Sequence, residues 1–341
     1  MFESISAPRR PNWKVRWLTA LLGIALGLLA VWVFRMTQMP LRSYSLPLPP
    51  LSSAQAEIRD RLAAHVKYLS AAIGERNLSR GTLPASVDYL RRNLQEAGYG
   101  VEEQTFQVDG QTVSNLDVIL PGNSEAETIV VGAHYDTVAG APGANDNGSG
   151  VAGVLELARL LRGSKLRRSV RFVLFANEEP PHFQTENMGS VVYARQLRKD
   201  HVVVSAMISL ETIGYYSEIP GSQKYPALLG LFYPNRGNFL GFVGNPESRD
   251  LVRRAIRTFR ESANFPSEGI AAPAEWPGIG WSDQWSFWQQ QYPAIMVTDT
   301  APFRYRYYHT PGDTGDHVDF ERMARVVDGI RKVVESLAMD R

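Results

Sequence analysis

The stretch TIVVGAHYD, Thr128 to Asp136, sets the reading of the chain. Its first six residues form a short apolar run of the kind that makes a strand buried on both faces. The run stops at His134, and Asp136 follows two residues later. The same arrangement recurs downstream. Val170–Ala176 (VRFVLFA) reads as a second buried strand and stops at Asn177, Glu178 and Glu179. Val202–Leu210 reads as a third and stops at Glu211, and Tyr292–Thr298 as a fourth, followed by a loop carrying His309. Between the runs, Val151, Val154, Leu155, Ala158 and Leu161 recur at helical spacing, and a second helix is expected from Met188 to about Arg198. Strands separated by helices predict an α/β fold: a mixed, mainly parallel central sheet sandwiched by helices.

Upstream, Ile58, Leu62, Val66, Leu69 and Ile73 predict one helix, and Val87, Leu90, Leu94 and Ala97 another that ends at Gly98. Residues 101–108 and 112–120 read as strands of a hairpin around Asp109-Gly110. Residues 215–245 and 264–281 are rich in Gly, Pro and aromatics and read as inserted loops walling a cleft.

The amino-terminal part has another character. Trp17 to Phe34 is uncharged (WLTALLGIALGLLAVWVF), and its 18 residues as a helix span about 27 Å, against a hydrocarbon core of about 30 Å. Trp13, Trp17 and Trp32 lie near its ends, while Arg9, Arg10, Lys14 and Arg16 precede it. This pattern predicts a cytoplasmic basic tail (1–16) and a transmembrane signal-anchor helix (17–36). A Pro-rich tether (37–51) and a catalytic domain (52–341), periplasmic or extracellular, would follow, making a single-pass protein of the cell (inner) membrane. The competing reading is a cleaved signal peptide, although no clear small-x-small site follows the run.

Composition narrows the classes. The 341 residues carry 36 Lys+Arg against 35 Asp+Glu, a net charge of +1, which argues against a nucleic-acid partner. With 44% hydrophobic residues the chain is not a disordered one, and with no cysteine it has neither disulfides nor thiolate metal sites.

The acidic and imidazole groups gather where open α/β sheets bind ligands, at the carboxyl ends of the strands. The segments that carry them are GAHYDT (132–137), GANDNGSG (143–150), NEEPP (177–181), SLETIGY (209–215), SDQWSFW (282–288) and YHTPGD (308–313). In this order they resemble the M28 family of zinc aminopeptidases over roughly residues 70–335. The resemblance implies the zinc-dependent exopeptidase fold, hydrolysis of peptides from the amino end, and two Zn2+ ions, other divalent ions also suiting the ligand types.

Two metals about 3.5–4 Å apart can activate a water and polarise a carbonyl. The resemblance places His134, Asp146 and Glu211 on one metal and Asp146, Glu179 and His309 on the other, with Asp146 shared. Glu178 cannot readily join Glu179 as a ligand, because neighbouring side chains diverge, which leaves it as general base and then acid. Asp136 is expected to accept the His134 imidazole N–H, and Tyr308 to stabilise the oxyanion. Many family members have Asp at the position of Glu211 and His at that of Gln284. His182 is a candidate cleft residue, whereas His65, His201 and His317 read as structural. The alternatives are another hydrolase of the family (carboxypeptidase or glutaminyl cyclase-like) and a non-catalytic ectodomain that binds on this scaffold.

Overall fold

The computed structural model describes residues 13–340. The basic residues Arg9 and Arg10, on which the orientation argument leans, lie outside the described residues. In chain order the elements are helices α1 (Trp13–Thr37), α2 (Ser53–Lys67) and α3 (Leu83–Glu96), strands β1 (Glu102–Val108), β2 (Gln111–Leu120) and β3 (Ser124–His134), and helix α4 (Gly148–Leu161). Strand β4 (Arg168–Phe175), α5 (Gly189–Lys199), β5 (Val204–Leu210), β6 (Leu240–Gly244), α6 (Arg249–Ser262) and β7 (Ser267–Ala271) follow. The chain closes with α7 (Gln284–Gln289), β8 (Ala294–Thr298), α8 (Ala301–Arg304) and α9 (Phe320–Met339).

The strands form one eight-stranded sheet in the order β1-β2-β4-β3-β5-β8-β6-β7. Its centre, β4-β3-β5-β8, is parallel, and β1-β2 and β6-β7 join it through antiparallel pairings. The mixed, mainly parallel sheet read from the sequence is therefore the one observed. Alternation along the strands supplies two cores. Ile129, Val131 and Ala133 of β3 join one cluster with α4 and α9. Val130 joins the other, with Phe175, Tyr193 and Phe287. Successive side chains point to opposite faces, so an unbroken apolar run is what a strand covered on both sides requires.

Three differences from the sequence reading have physical causes. Residues 68–73 are wound as a π-helix rather than continuing α2. Strands β6 (LGFVG) and β7 (SEGIA) occupy parts of the segments expected to be loops. Their glycines dilute the β-branched signal, yet a Cβ at Gly244 would meet Val252 at 2.6 Å and one at Gly269 would meet Met39 at 2.9 Å, so close packing demands them. The proline segment is extended, as expected, but it is strapped to the domain. Arg260 donates to the carbonyls of Pro40 and Leu41 at 2.9 Å each, and Arg325 donates to that of Pro49. Helix α1 carries a span, Trp17–Thr37, long and apolar enough to cross a membrane, with none of its most apolar stretch buried by the domain.

Candidate metal centre

Parallel register brings the strand ends level. His134 is opposite Phe175, and Gly132 is opposite Ser209, so His134, the turn after β4 and Glu211 share one edge. Asn177 has φ 56°, a left-handed turn unusual for a residue other than glycine. It aims the next two amides at Asp136, whose carboxylate accepts the N–H of Glu178 at 3.0 Å and of Glu179 at 3.1 Å. Holding this turn is a task of Asp136 that the sequence reading did not give it. His134 Nδ1 faces the Asp136 carbonyl oxygen at 3.2 Å, and the carboxylate lies farther off at 3.5 Å. A proton on Nδ1, donated to that carbonyl, leaves Nε2 free as a ligand.

Asp146 is delivered by the loop before α4. Asn147 caps that helix by accepting the Gly150 N–H at 3.0 Å, and its amide donates to Glu211 Oε2 at 2.8 Å. A Cβ at Gly150 would stand 2.3 Å from both Asn147 Oδ1 and the Leu210 carbonyl, so only glycine permits this approach.

Two donor groups result: His134, Asp146 and Glu211, and Asp146, Glu179 and His309. Asp146 belongs to both. His134 Nε2 lies 3.5 Å from Asp146 Oδ1 and 2.8 Å from Glu211 Oε2. His309 Nε2 lies 3.0 Å from Asp146 Oδ2 and 3.3 Å from Glu179 Oε2. His134 Nε2, both Asp146 oxygens and Glu179 Oε1 are buried and make no hydrogen bond. Buried polar atoms left unpaired are costly, and imidazole and carboxylate donors converging on two points fit two divalent cations. Glu178 stands outside both groups, its Oε2 3.9 Å from His134 Nε2.

The titration of these groups reflects crowding. Burial pushes the Glu178 carboxyl well up, with Glu211 and Glu179 adding to the rise against the pull of His134. Glu211 is raised to about 8 by burial, aided by Asp146 and opposed by His134. Burial also pushes Asp146 up, but His134 and His309 outweigh it and hold that carboxyl below the usual range. The Tyr308 hydroxyl is kept protonated by burial and by the acids around it, and its ring stacks on His309 at 3.9 Å.

Several residues that hold the centre had no role in the sequence reading. Arg76 is fully buried and donates to the carbonyls of Tyr135 (2.8 Å), Pro142 (2.7 Å) and Gly143 (2.9 Å), tying the His134 loop to the Asp146 loop. Asp313 accepts the backbone N–H of Asn145 at 2.8 Å and of Asp146 at 2.9 Å. Asp299 accepts from the Thr212 hydroxyl at 2.6 Å and the Tyr215 amide at 2.7 Å, fixing the turn after Glu211. Asp283, inside the SDQWSFW segment, is buried with neither oxygen hydrogen-bonded.

The histidines set aside as structural stay apart: His65 lies by Tyr89 and Glu156, and His317 stacks on Tyr307. His182 joins neither donor group, and it does not line the apolar pocket beside the centre. That pocket runs from Glu211 and Tyr308 to Tyr225, Tyr233, Ile270 and Ile279, so the two irregular segments do wall it.

Residues 115–334 match the model of peptidase family M28. The chain is 38% identical over 281 residues to YfbL of Escherichia coli, covering 80% of this chain and 86% of that protein. It is 26% identical over 266 residues to aminopeptidase YwaD of Bacillus subtilis, covering 76% of this chain and 52% of YwaD. Its fold is similar to the structure of BSAP, a zinc aminopeptidase from Bacillus subtilis, with a TM-score of 0.67 at 17% identity over 83% of this chain and 95% of that one. The chain belongs to peptidase family M28.

Proposed function

Starting from this membership of family M28, we propose that the chain is a di-metal aminopeptidase. It is held to the cell membrane by α1 and releases amino-terminal residues from peptides outside the cytoplasm. One observation carries the reading: two donor groups share Asp146, whose two oxygens, like His134 Nε2 and Glu179 Oε1, are buried and unpaired, and a further carboxylate, Glu178, stands outside both groups.

His134, Asp146 and Glu211 would hold one ion, and Asp146, Glu179 and His309 the other. Bound there, two zinc ions would supply Lewis acidity toward a water and a peptide carbonyl. The chain's own residues do the rest. Glu178, free of the ligand sets, its carboxyl raised by burial, takes a proton from the attacking water and returns it to the leaving amine. Tyr308 keeps its proton and donates a hydrogen bond to the carbonyl oxygen as negative charge develops there. Asp136 fixes the backbone of the turn that carries Glu178 and Glu179.

Attack at the amino end is supported by the likeness to YwaD, named an aminopeptidase. The apolar pocket opening from Glu211 and Tyr308 suits a large apolar or aromatic first residue. The test is a panel of amino-acid p-nitroanilides with metal-depleted and zinc-restored protein. Leucine and phenylalanine substrates should be cleaved faster than alanine, only with zinc, and their N-acetylated forms should resist. Release of carboxyl-terminal residues from N-blocked peptides would establish the carboxypeptidase alternative instead.

A further inference from the structure

The apolar span and the domain are not joined by a free linker. Met36, near the end of α1, is 4% exposed and belongs to the same apolar cluster as Val243, Ile270 and Ile279, which also line the pocket. The ring of Trp32 meets that of Trp276 edge-on, 5.5 Å between centroids. Trp32 lies inside the span that ends at Thr37, five residues short of its end or about 7.5 Å along the helix axis. The contact therefore carries Trp276, a residue of the catalytic domain, down to the level of the span. Trp276 and Leu229 pack against the same cluster, and Leu231 and Phe232, which follow Leu229 after Gly230, are 76% and 54% exposed. Large apolar side chains next to a membrane-spanning element are what an interfacial surface presents.

Charge on this side agrees. Arg249 donates to the Arg35 carbonyl at 2.7 Å and Arg253 to that of Gln38 at 2.5 Å, so basic α6 lies across the point where α1 leaves the span. Arg257, on the same helix, is exposed, whereas Arg254 pairs with Asp340 at 3.1 Å. Asp250 is the acid nearest Arg249, 3.9 Å away. Arginines beside exposed leucine and phenylalanine complement anionic headgroups above an acyl layer.

We infer that the Trp276, Leu231 and Phe232 lip, with the arginines of α6, is a bilayer-docking face that holds the domain against anionic lipid, its pocket wall next to the membrane. This rests on the proposed reading of α1 as a membrane anchor. The occupant is the lipid surface itself, because the ring contact ties the lip to the depth of the span.

The chain has no cysteine, so single labels can be placed cleanly. Full-length Phe232→Cys and Leu231→Cys proteins, each carrying an environment-sensitive fluorophore, would be inserted into equimolar phosphatidylcholine–phosphatidylglycerol vesicles containing lipids brominated along the acyl chain. Leu26→Cys in α1 reports insertion, and Lys67→Cys at the exposed last residue of α2 reports the aqueous baseline. The labels at 231 and 232 should lose most of their emission to the brominated lipid, the label at 67 should not, and Arg257→Glu should weaken the quenching. Quenching at 26 without quenching at 231 or 232 would overturn the docking face while leaving the anchor standing. Shielding of 231 and 232 from both brominated lipid and aqueous iodide would mean that a protein covers the lip, and would also overturn it. Absence of quenching at 26 removes the anchor and the docking face together.

Discussion

The carboxylate of Asp136 and the backbone of Glu178 are joined by a 3.0 Å hydrogen bond, and the same carboxylate holds the next amide. One acid thus fixes the backbone of both the proposed proton carrier and the neighbouring proposed metal donor. Removing charge from each of the two should separate their roles. Glu178→Gln should keep both metals and lose about 10²–10⁴-fold in kcat, with little change in KM. Glu179→Gln should lose metal affinity and recover part of its activity in excess zinc. Metal content and kcat measured together decide the matter, and loss of a metal from Glu178→Gln with retention of both in Glu179→Gln would reverse the assignment.

Asp146 is the only residue present in both donor groups. Asp146→Ala should therefore weaken both sites at once, with zinc stoichiometry falling toward zero in equilibrium dialysis. A variant that still binds one zinc at wild-type affinity would show that the sites do not share this carboxylate.

The metal-free protein should lose stability as pH rises. Burial pulls His309 down, but the carboxylates of Asp146 and Glu179 beside it outweigh burial and raise it to about 10. Burial raises Glu211 to about 8. Both values exceed those of an unfolded chain, about 6.5 and about 4.3, so the folded state holds extra protons between about pH 5 and 9 and is favoured at the acidic end. Zinc replaces those protons, so the gain in Tm on adding zinc should widen across the same window. Melting curves with and without zinc near both ends check this; a metal-free Tm that climbs with pH would contradict it.

Much of the centre was legible because the strands end abruptly. An apolar run that stops at His134, Glu178 or Glu211 marks both the buried strand and the edge where its last residues emerge. The supports were not legible. Arg76 and the Tyr135 carbonyl it binds are 59 residues apart, and nothing in a local pattern separates a buried arginine from a solvated one. Asp313 lay in view within YHTPGD, but its work is to accept amides from the Asp146 loop, a partnership 167 residues long. Strands β6 and β7 escaped because glycine, which close packing favours there, is the residue least suggestive of a strand.

The buried guanidinium of Arg76 should matter to folding and to metal binding together. Arg76→Met keeps some of the bulk but leaves several carbonyls of two loops without donors, and should cost about 1–3 kcal/mol for each buried carbonyl left unpaired. Urea denaturation of the metal-free protein measures the loss, and zinc affinity should fall in the same variant. A variant with unchanged denaturation midpoint would show that the loops hold themselves.

Orientation is tested in cells. With the basic residues before Trp17 retained on the cytoplasmic side, protease added after permeabilising the outer layer should digest residues 52–341. Protection until the membrane is lysed would reverse the topology, and a soluble form beginning near residue 40 would favour a cleaved signal.

The position of Arg76 also bears on where this enzyme can be cut. The family match begins at residue 115, after the arginine that pins the first two metal-bearing loops. A fragment trimmed to the matched region would keep every proposed zinc ligand and still lose the clamp that brings His134 and Asp146 into register. The smallest unit of this chain that keeps the two loops tied is therefore longer than the matched region, and any truncation has to carry the segment around residue 76 along with the proposed ligands it serves.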